Sequence, residues 1–554
     1  MNHKPGIIQH ALAGIAEKIV ICVLCGLILS LPFRGYDGSL PAWVALAPVL
    51  FLVARSDSWR QALVYALGFS LPWAGLSFTF LWPLTPVGTV ALSIYTALFY
   101  IMVLMLVRQL ARRGIIPVVF GTAALWALVE IARSSMPVFG FPWLLFGHTL
   151  LFNASLRQGA DLLGVYGLSF MLVAVNGVLA FAIPALWKAR RIDGESDART
   201  LLTLHSGQRS ARWAVSLCGA LVLSAIIYGQ MRIAQLSPRL KPGQPIGVVQ
   251  GNTIHKLGRT AEELTTQVKE HLDFHGQIIS ERQKAYHDTP VLICWAETMV
   301  PGIINSGDEW GTTFKAGVAR YGVPTLTGAN CKVDGEVVVE GRIPRCHNSA
   351  CLFDKNGKEV LHYSKRRLVP FGEYVPFAEL PLFSALRSVT RDQYVPGTEP
   401  SPVFEIGGYN FALNICVEDI FPDLAREAAA GGADALINIT NDGWFYGTYG
   451  PRSHLHAAAW RSIETRRPML RVTNTGCTVV IDPLGQITQI IPEATAGICV
   501  TSLPRLYSEN GTTAPRTLSM SLGEFGEAIV FLLILSASLV MGKGLEQNKL
   551  CNIA

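Results

Sequence analysis

Long apolar runs, each bounded by charged or turn residues, dominate both ends of the chain. A helix that crosses a bilayer needs about 20 apolar residues, and Gln61 to Val107 contains no Asp, Glu, Lys or Arg. Candidate spans are Ile19–Phe33, Leu40–Ala54, Leu63–Trp82, Gly88–Val107, Ile115–Ile131, Val165–Trp187, Trp213–Met231 and Phe525–Met541. The pattern predicts a seven-helix transmembrane bundle at residues 1–231 and, at residues 525–554, a further transmembrane helix with a tail.

The interval between them, residues 232–524, has a different pattern. Short β-type runs alternate with polar helical stretches, the clearest being Ala261–Lys284 and Pro451–Arg466. The β-type runs are Ile246–Val249, Val291–Ala296, Thr325–Gly328, Val337–Val339, Ser349–Phe353, Phe411–Cys416, Ala435–Ile439, Leu470–Val472 and Cys477–Ile481. Roughly 300 residues of this pattern bury a sizeable core. An independent extramembrane α/β domain is therefore expected.

Composition agrees with a membrane protein. Of 554 residues, 50% are hydrophobic and 16% are charged, and the mean hydropathy is +0.35, which is too apolar for a soluble protein of this length. The net charge of +6 is a small excess on a long chain. It argues against a nucleic-acid-binding surface.

Basic residues predict the orientation, because Lys and Arg accumulate on the cytoplasmic side of a membrane. With the amino terminus inside, the predicted inner segments hold 15 Lys and Arg residues. The outer segments hold three, which are Arg34, Arg133 and Arg157. Seven spans then place residues 232–524 on the side of the membrane opposite the cytoplasm.

Three segments each end a β-type run with a reactive side chain: Glu297 after Val291–Ala296, Lys365 in a basic loop, and Cys416 after an apolar strand. Alone, each residue has a commoner structural interpretation: a polar strand cap, a solvated loop and an inert core thiol. Together they supply a base, a cation and a nucleophile. The sequence lacks His-Glu-x-x-His, Walker and Gly-x-Ser-x-Gly motifs, so a metal hydrolase, a nucleotide-driven pump and a serine esterase each lose their usual sequence support.

Four segments, in this order, resemble the apolipoprotein N-acyltransferase family. They are Trp295–Thr298, Tyr363–Pro376, Ile415–Asp419 and Asn438–Phe445, and Ala127–Arg133, Gly140–Trp143 and Asp161–Phe170 extend the likeness into the bundle. The resemblance implies a carbon-nitrogen hydrolase (nitrilase-like) domain, an α-β-β-α sandwich, set on a multi-span α-helical membrane bundle. It also implies a Glu297-Lys365-Cys416 triad.

The resemblance further implies a ping-pong acyl transfer in a bacterial inner membrane, with the catalytic domain on the periplasmic side. Cys416 would take the sn-1 acyl chain of a phospholipid, usually phosphatidylethanolamine. It would pass the chain to the α-amino group of the diacylglyceryl-cysteine of an apolipoprotein. Glu297 would act as the base, and Lys365 with the Val417 N–H would face the oxyanion. A monomer is expected, and the implied reaction needs no metal or diffusible cofactor.

Supporting roles are expected for two further carboxylates. Glu373 would orient Lys365 or support the second step, and Glu418 would hold the active-site loops, with a plain surface-loop role as the alternative. Two apolar loops, Phe371–Leu382 and Trp444–Tyr446, either enter the headgroup region or pack internally. Their candidate substrate-binding residues are Phe371, Tyr374 and Trp444.

The chain departs from the family pattern at two places. Val417 follows the nucleophile, where an aromatic residue, typically Tyr, is usual. The segment after Asn252 leads to Thr253–Arg259 without the usual Trp. Both positions are thought to lie near substrate in the family, so substrate detail and rate are expected to be affected.

Two other functions fit parts of the sequence. A membrane-tethered amidase or nitrilase would use the same triad with water as acceptor. A transporter would use the extramembrane domain only for binding, but the charge-free block of the bundle offers little of the polar path and paired half-broken helices expected of one. The spacing of the cysteines would also permit a disulfide between two of Cys331, Cys346 and Cys351.

Overall fold

A computed structural model of the protein describes residues 5–189, 198–253, 259–333, 335, 345–380, 394–507 and 515–551. The chain divides into two units. The helical unit consists of Met1–Ser135, Phe141–Ile233 and Leu522–Ala554, and the α/β unit consists of Met136–Gly140 and Ala234–Ser521.

The described α-helices range in length from 5 to 39 residues. They are α1 (Pro5–Ser30), α2 (Leu40–Val44), α3 (Ala47–Ala54), α4 (Trp59–Ser77), α5 (Pro86–Arg112), α6 (Thr122–Ser134), α7 (Ala160–Gly177), α8 (Ile183–Ala189), α9 (Ala198–Leu236), α10 (Ala261–Tyr286), α11 (Glu309–Tyr321), α12 (Pro422–Ala430), α13 (Gly450–Thr465) and α14 (Leu518–Cys551). A capping box at Thr260 and Glu263 starts α10.

Among the described residues, six helical segments are long and apolar enough to cross a membrane. They are Gly14–Arg34, Pro86–Arg112, Pro117–Ser134, Leu156–Trp187, Gly207–Arg239 and Leu518–Gly542. Each contains most or all of one predicted span, and together they indicate a multi-pass membrane protein.

The other two predicted spans are helical but are not among these six segments. Leu40–Ala54 is short and is divided into α2 and α3, because a proline at the start of each favours a new first turn. Leu63–Trp82 falls largely on α4, which contains Pro72 and ends at Ser77. The total of eight spans stays a prediction.

Two buried charges stabilise an irregular stretch of the helical unit. The Arg133 guanidinium donates to the carbonyls of Phe141 and Trp143, both at 2.6 Å. Glu130 accepts from the Phe146 N–H at 2.7 Å and from the Trp126 indole at 3.0 Å. Non-helical backbone requires such partners where lipid supplies none. Glu130 and Arg133 therefore serve the packing of the bundle.

Two large sheets form the α/β unit. The strands are β1 (Leu240–Lys241), β2 (Pro245–Gln250), β3 (Leu292–Trp295), β4 (Val300–Ile303), β5 (Thr325–Lys332), β6 (Cys346–Phe353), β7 (Glu359–Ser364), β8 (Phe404–Ile406), β9 (Tyr409–Ile415), β10 (Ala435–Thr440), β11 (Met469–Thr473), β12 (Thr478–Ile481), β13 (Ile487–Ile491), β14 (Gly497–Ser502) and β15 (Arg505–Leu506). One sheet has the order β14-β2-β3-β5-β6-β7, with β4 beside β5, and the other has β13-β12-β11-β10-β9-β8.

One apolar core joins the sheets, as its members include Ile246 and Leu292 from one and Leu413 and Ile437 from the other. Helices α10 and α11 pack on the first sheet, and α12 packs on the second. The result is the predicted α-β-β-α sandwich.

The directions of the strands place the candidate reactive residues at one edge of each sheet. Strands β2, β3 and β5 are parallel, as are β9, β10 and β11. Strand β7 runs with β5, because both are antiparallel to β6. The carboxyl ends of parallel strands lie at the same edge of a sheet, where α/β proteins place their sites.

The predicted β-type runs coincide with β2, β3, β5, β6, β9, β10, β11 and β12, and the predicted helices coincide with α10 and α13. Val337–Val339 lies outside the described residues. Several strand ends differ by a few residues, and one difference concerns a candidate site residue: strand β9 ends at Ile415, and Cys416 begins a 3₁₀ turn, Cys416–Ile420.

Candidate active site

Glu297 lies two residues after β3 and is buried, with 5% of its surface exposed. The next residue, Thr298, has φ 55°, so the chain turns sharply there. The backbone of β5 approaches closely at Gly328, whose N–H donates to the Ala296 carbonyl at 3.1 Å. A Cβ on Gly328 would lie 2.5 Å from Glu297 Cα. Glycine is therefore required opposite Glu297.

Both oxygens of Glu297 accept hydrogen bonds. Asn348 Nδ2 donates to Oε1 at 2.7 Å, and the Asn441 N–H donates to Oε2 at 2.8 Å. Burial raises the pKa of the carboxyl and the nearby Lys365 ammonium opposes that rise, leaving the pKa above its ordinary value. A carboxylate with a raised pKa is a stronger base, which suits proton abstraction.

Lys365 follows β7 and has 1% of its surface exposed. Its ammonium donates to Glu373 Oε1 at 2.9 Å and lies 3.6 Å from Glu297 Oε1. Burial alone would lower the pKa of Lys365. Glu373, Cys416 and Glu297 outweigh burial and hold that pKa well above its ordinary value, so the side chain stays a cation and cannot serve as the base.

Cys416 is half-buried at the start of the 3₁₀ turn, where its φ of 53° is a strained conformation for a side chain with a Cβ. Asn438 Nδ2 on β10 donates to the Cys416 carbonyl at 3.0 Å. Burial raises the pKa of the thiol, the Glu297 charge raises it further, and Lys365 opposes both. Glu297, Lys365 and Cys416 thus form one interacting cluster, with a neutral thiol at rest.

Glu418 is fully buried, so the surface-loop alternative is wrong. Its Oε1 accepts from the backbone N–H of Arg366 at 2.7 Å and of Arg367 at 3.1 Å, and its Oε2 accepts from the Ile415 N–H at 2.9 Å. The Tyr363 hydroxyl adds a fourth donor at 3.0 Å. One carboxylate therefore joins the strand end before Cys416 to the segment after Lys365.

The predicted substrate-binding residues lie on loops at the surface. Phe371 and Trp444 are 41% and 40% exposed, and Tyr374 is half-buried. The Phe371 N–H donates to the Tyr374 carbonyl at 2.7 Å, which forms a tight turn. Their contact with substrate stays a prediction. Residues 381 and 382 of the first loop and residues 254–258, where the usual Trp is missing, lie outside the described residues.

Sequence reasoning missed the amides that hold the carboxylates. Asn348 Nδ2 donates to Glu373 Oε1 at 3.1 Å as well as to Glu297, so one side chain connects two carboxylates. Asn441, within the recognised Asn438–Phe445 segment, contacts Glu297 through its backbone. Among the described residues, no group of three or more His, Cys, Asp or Glu side chains is arranged to hold a metal ion.

Comparisons with known proteins cover most of the chain. Residues 25–178 match the family described as apolipoprotein N-acyltransferase N-terminal domain, and residues 246–509 match the carbon-nitrogen hydrolase family. An apolipoprotein N-acyltransferase of Geobacter metallireducens is 30% identical over 85% of this chain and 87% of its own length. One of Azotobacter vinelandii is 31% identical over 86% and 87%.

Solved structures of similar fold include an amidase from Nesterenkonia sp., 18% identical, which covers 48% of this chain and 91% of its own, with a TM-score of 0.34.

Proposed function

Since the chain belongs to the apolipoprotein N-acyltransferase family, and is therefore an acyltransferase with a carbon-nitrogen hydrolase domain, we propose that Cys416 carries the acyl chain between two lipid substrates. The donor is a membrane phospholipid, phosphatidylethanolamine, and the acceptor is the diacylglyceryl-cysteine at the amino terminus of an apolipoprotein. The observation that carries this proposal is the convergence of Glu297, Lys365 and Cys416 from three strand ends.

In the first half-reaction Glu297 takes the thiol proton as Cys416 Sγ attacks the sn-1 ester carbonyl. The carbon–oxygen bond to glycerol breaks, and the lysophospholipid oxygen receives the proton from Glu297. Lys365 and the Val417 N–H face the developing oxyanion. The Val417 N–H lies in the first turn of a 3₁₀ helix, where N–H groups lack helical partners. A thioester on Cys416 remains.

In the second half-reaction the α-amino group of the acceptor attacks the thioester carbonyl. Glu297 removes a proton from the amine, and the carbon–sulfur bond breaks. The proton returns to Cys416, and the product is an amide. Because an amide is more stable than an ester, the overall exchange is favourable without a cofactor.

The neighbours of the triad keep these groups in place. Glu373 orients Lys365 through the 2.9 Å hydrogen bond, and the Val369 N–H holds its other oxygen at 2.8 Å. Asn348 fixes the separation of the two carboxylates. Glu418 maintains the approach of the Cys416 turn to the Lys365 loop.

We propose that the protein resides in a bacterial inner membrane as a monomer. The bundle occupies residues 1–231, the periplasmic catalytic domain residues 232–524, and the last span and cytoplasmic tail residues 525–554. The excess of basic residues in alternate loops supports this orientation. Reporter fusions after Met231 should give a periplasmic signal and fusions at the carboxyl terminus a cytoplasmic signal. A cytoplasmic signal for the catalytic domain would contradict the orientation.

The chemistry is tested by incubating the purified protein with phosphatidylethanolamine alone and measuring its intact mass. The mass should rise by one acyl group, hydroxylamine should remove it, and Cys416→Ala should abolish it. Cys499→Ala, which removes another half-buried thiol of the α/β unit, is the matched control and should be acylated normally. Acylation that survives in Cys416→Ala but is lost in Cys499→Ala would overturn the assignment.

Addition of a diacylated lipopeptide distinguishes the transferase from a membrane-tethered amidase. The transferase converts the peptide to its N-acylated form, whereas a hydrolase releases free fatty acid and leaves the peptide unchanged. The match of residues 25–178 to the acyltransferase N-terminal family favours the first result.

A further inference from the structure

Four charged side chains form a second buried cluster, separate from the triad. Asp419, Asp442, His454 and Arg471 each have at most 1% of their surface exposed. They come from four elements: the 3₁₀ turn after β9, the turn after β10, helix α13 and strand β11. We call them the buried charge cluster.

Each aspartate contacts both basic groups. His454 Nε2 lies 2.8 Å from Asp419 Oδ1, and Nδ1 lies 3.0 Å from Asp442 Oδ1. Arg471 Nε donates to Asp419 Oδ2 at 3.1 Å, and Nη1 donates to Asp442 Oδ2 at 3.0 Å. Arg471 Nη2 lies 2.8 Å from His454 Nδ1 and donates to Asp442 Oδ1 at 3.3 Å.

The charges balance only when His454 is protonated. Two carboxylates and one guanidinium leave a net charge of −1, and an uncompensated charge in the interior is strongly unfavourable. Charged groups that contact the ring include Asp419, Asp442 and Arg471. Burial by itself lowers the pKa of His454, but the two aspartates outweigh burial and Arg471, and the pKa is raised.

The cluster connects the two segments that hold the nucleophile and the base. Asp419 lies in the same 3₁₀ turn as Cys416, three residues later. Asp442 directly follows Asn441, whose N–H donates to Glu297. The cluster therefore links the turn that carries the thiol to the turn whose backbone holds the Glu297 carboxylate.

We propose that His454, as an imidazolium between Asp419 and Asp442, is a positioning residue that sets the distance between Cys416 and Glu297 for thioester formation. This inference rests on the proposed roles of Cys416 and Glu297. His454 touches neither, so it acts through the backbone of the two turns. A misplacement of about 1 Å at a reacting group costs on the order of 100-fold in rate.

The experiment compares His454→Gln with the double variant His454→Gln/Asp419→Asn in the full-length protein. The single variant leaves the cluster at −1, and the double variant returns it to neutrality. We expect the single variant to form the thioester roughly 10- to 100-fold more slowly at saturating phosphatidylethanolamine. The half-saturating lipid concentration should not change. The double variant should recover most of the rate.

The control is His456→Gln, on the same helix but outside the cluster, which should acylate at the wild-type rate. Recovery in the double variant distinguishes charge balance from packing, since a packing defect is not repaired by a second substitution. If His454→Gln fails to fold, the double variant should restore both folding and acylation. A double variant no better than the single variant would overturn the inference.

Acylation of the wild-type protein at Cys416 is measured in parallel. Its absence would contradict the proposed function itself. Normal acylation of both wild type and His454→Gln would contradict only the role of His454.

Discussion

Substitution of Gly328 tests whether the position of Glu297 limits acyl transfer. An added Cβ on Gly328 would lie 2.3 Å from the Thr298 nitrogen and 2.5 Å from Glu297 Cα. Ordinary contacts begin near 3.4 Å, so one backbone must move by about 1 Å. Gly328→Ala thus shifts the base without changing any side chain of the triad.

A displacement of about 1 Å is expected to slow thioester formation roughly 100-fold. Overpacking of this kind also destabilises a protein by about 1–3 kcal/mol, so a thermal unfolding midpoint is measured beside the rate. The assay is a single turnover with phosphatidylethanolamine in excess, in which acylated protein is followed by intact mass at successive times.

The matched control is Gly219→Ala on α9, where an added Cβ meets nothing within 4 Å. This variant should acylate at the wild-type rate. If folded Gly328→Ala forms its thioester within about twofold of wild type, the geometry of Glu297 does not limit the step and the reasoning is refuted.

Three further predictions concern other parts of the α/β unit. Lys365→Ala should slow thioester formation about 10²–10³-fold, since it removes one oxyanion partner; an unchanged single-turnover rate would exclude that role. Burial lowers the pKa of His271 and His275 to about 4, from an ordinary 6.5, so the unfolded chain binds more protons and stability is lost as pH falls from about 6.5 toward 4. Between pH 7.5 and 5.5 these two histidines together should lower the free energy of unfolding of the α/β unit by about 2–3 kcal/mol, so the loss measured by chemical denaturation should be smaller by about 1.4 kcal/mol in His275→Phe than in wild type; an equal loss in the variant would contradict the assignment. Val417→Tyr should raise transfer from preformed acyl-enzyme to a diacylated lipopeptide, because each 50 Å² of added apolar contact is worth about 1 kcal/mol; an unchanged or lower transfer rate would contradict it.

The convergence of Glu297, Lys365 and Cys416 could be predicted because the signals in the sequence are local. Glu297 and Cys416 each follow an apolar run that ends within two residues of the reactive side chain, and neighbouring segments carry the family resemblance. Parallel strand direction then places such ends at one edge. The α/β character of the unit could be predicted from the same kind of signal, since β2, β9, β10 and β11 are short, mainly apolar runs, and the sandwich itself was implied by the family resemblance.

The supporting contacts could not be predicted because they are remote in sequence. Asn348 is 51 residues from Glu297, and Asn441 is 144 residues from it. Nothing near Asn348 distinguishes it from an ordinary strand asparagine. The burial of Glu418 could not be predicted from the sequence either, since acidic residues after a strand are usually exposed.

In the bundle, apolar composition predicted the membrane spans well where the helices are uninterrupted. It predicted them less well where a proline interrupts the helix. Pro41 and Pro48 lie in the first turns of α2 and α3, and Pro72 lies inside α4. Apolar content does not change at these residues, but helix continuity does. The differences therefore fall at Leu40–Ala54 and Leu63–Trp82.

The charge arrangement explains why so many contacts hold Glu297. Burial and the Glu297 carboxylate both raise the pKa of the Cys416 thiol, so the resting nucleophile is neutral. In the proposed mechanism the thiolate then forms as the proton reaches Glu297, in the same step as attack or immediately before it. If the thiolate were already formed before attack, the position of the base would matter little. If the proton moves during attack, its donor and acceptor must be within hydrogen-bonding distance, so the base must be held firmly. Gly328, Asn348 and the Asn441 N–H each restrain Glu297 from a different direction, and the buried charge cluster restrains the turn that carries Asn441. Loss of any one of these restraints is expected to reduce the rate of thioester formation more than the affinity for phospholipid.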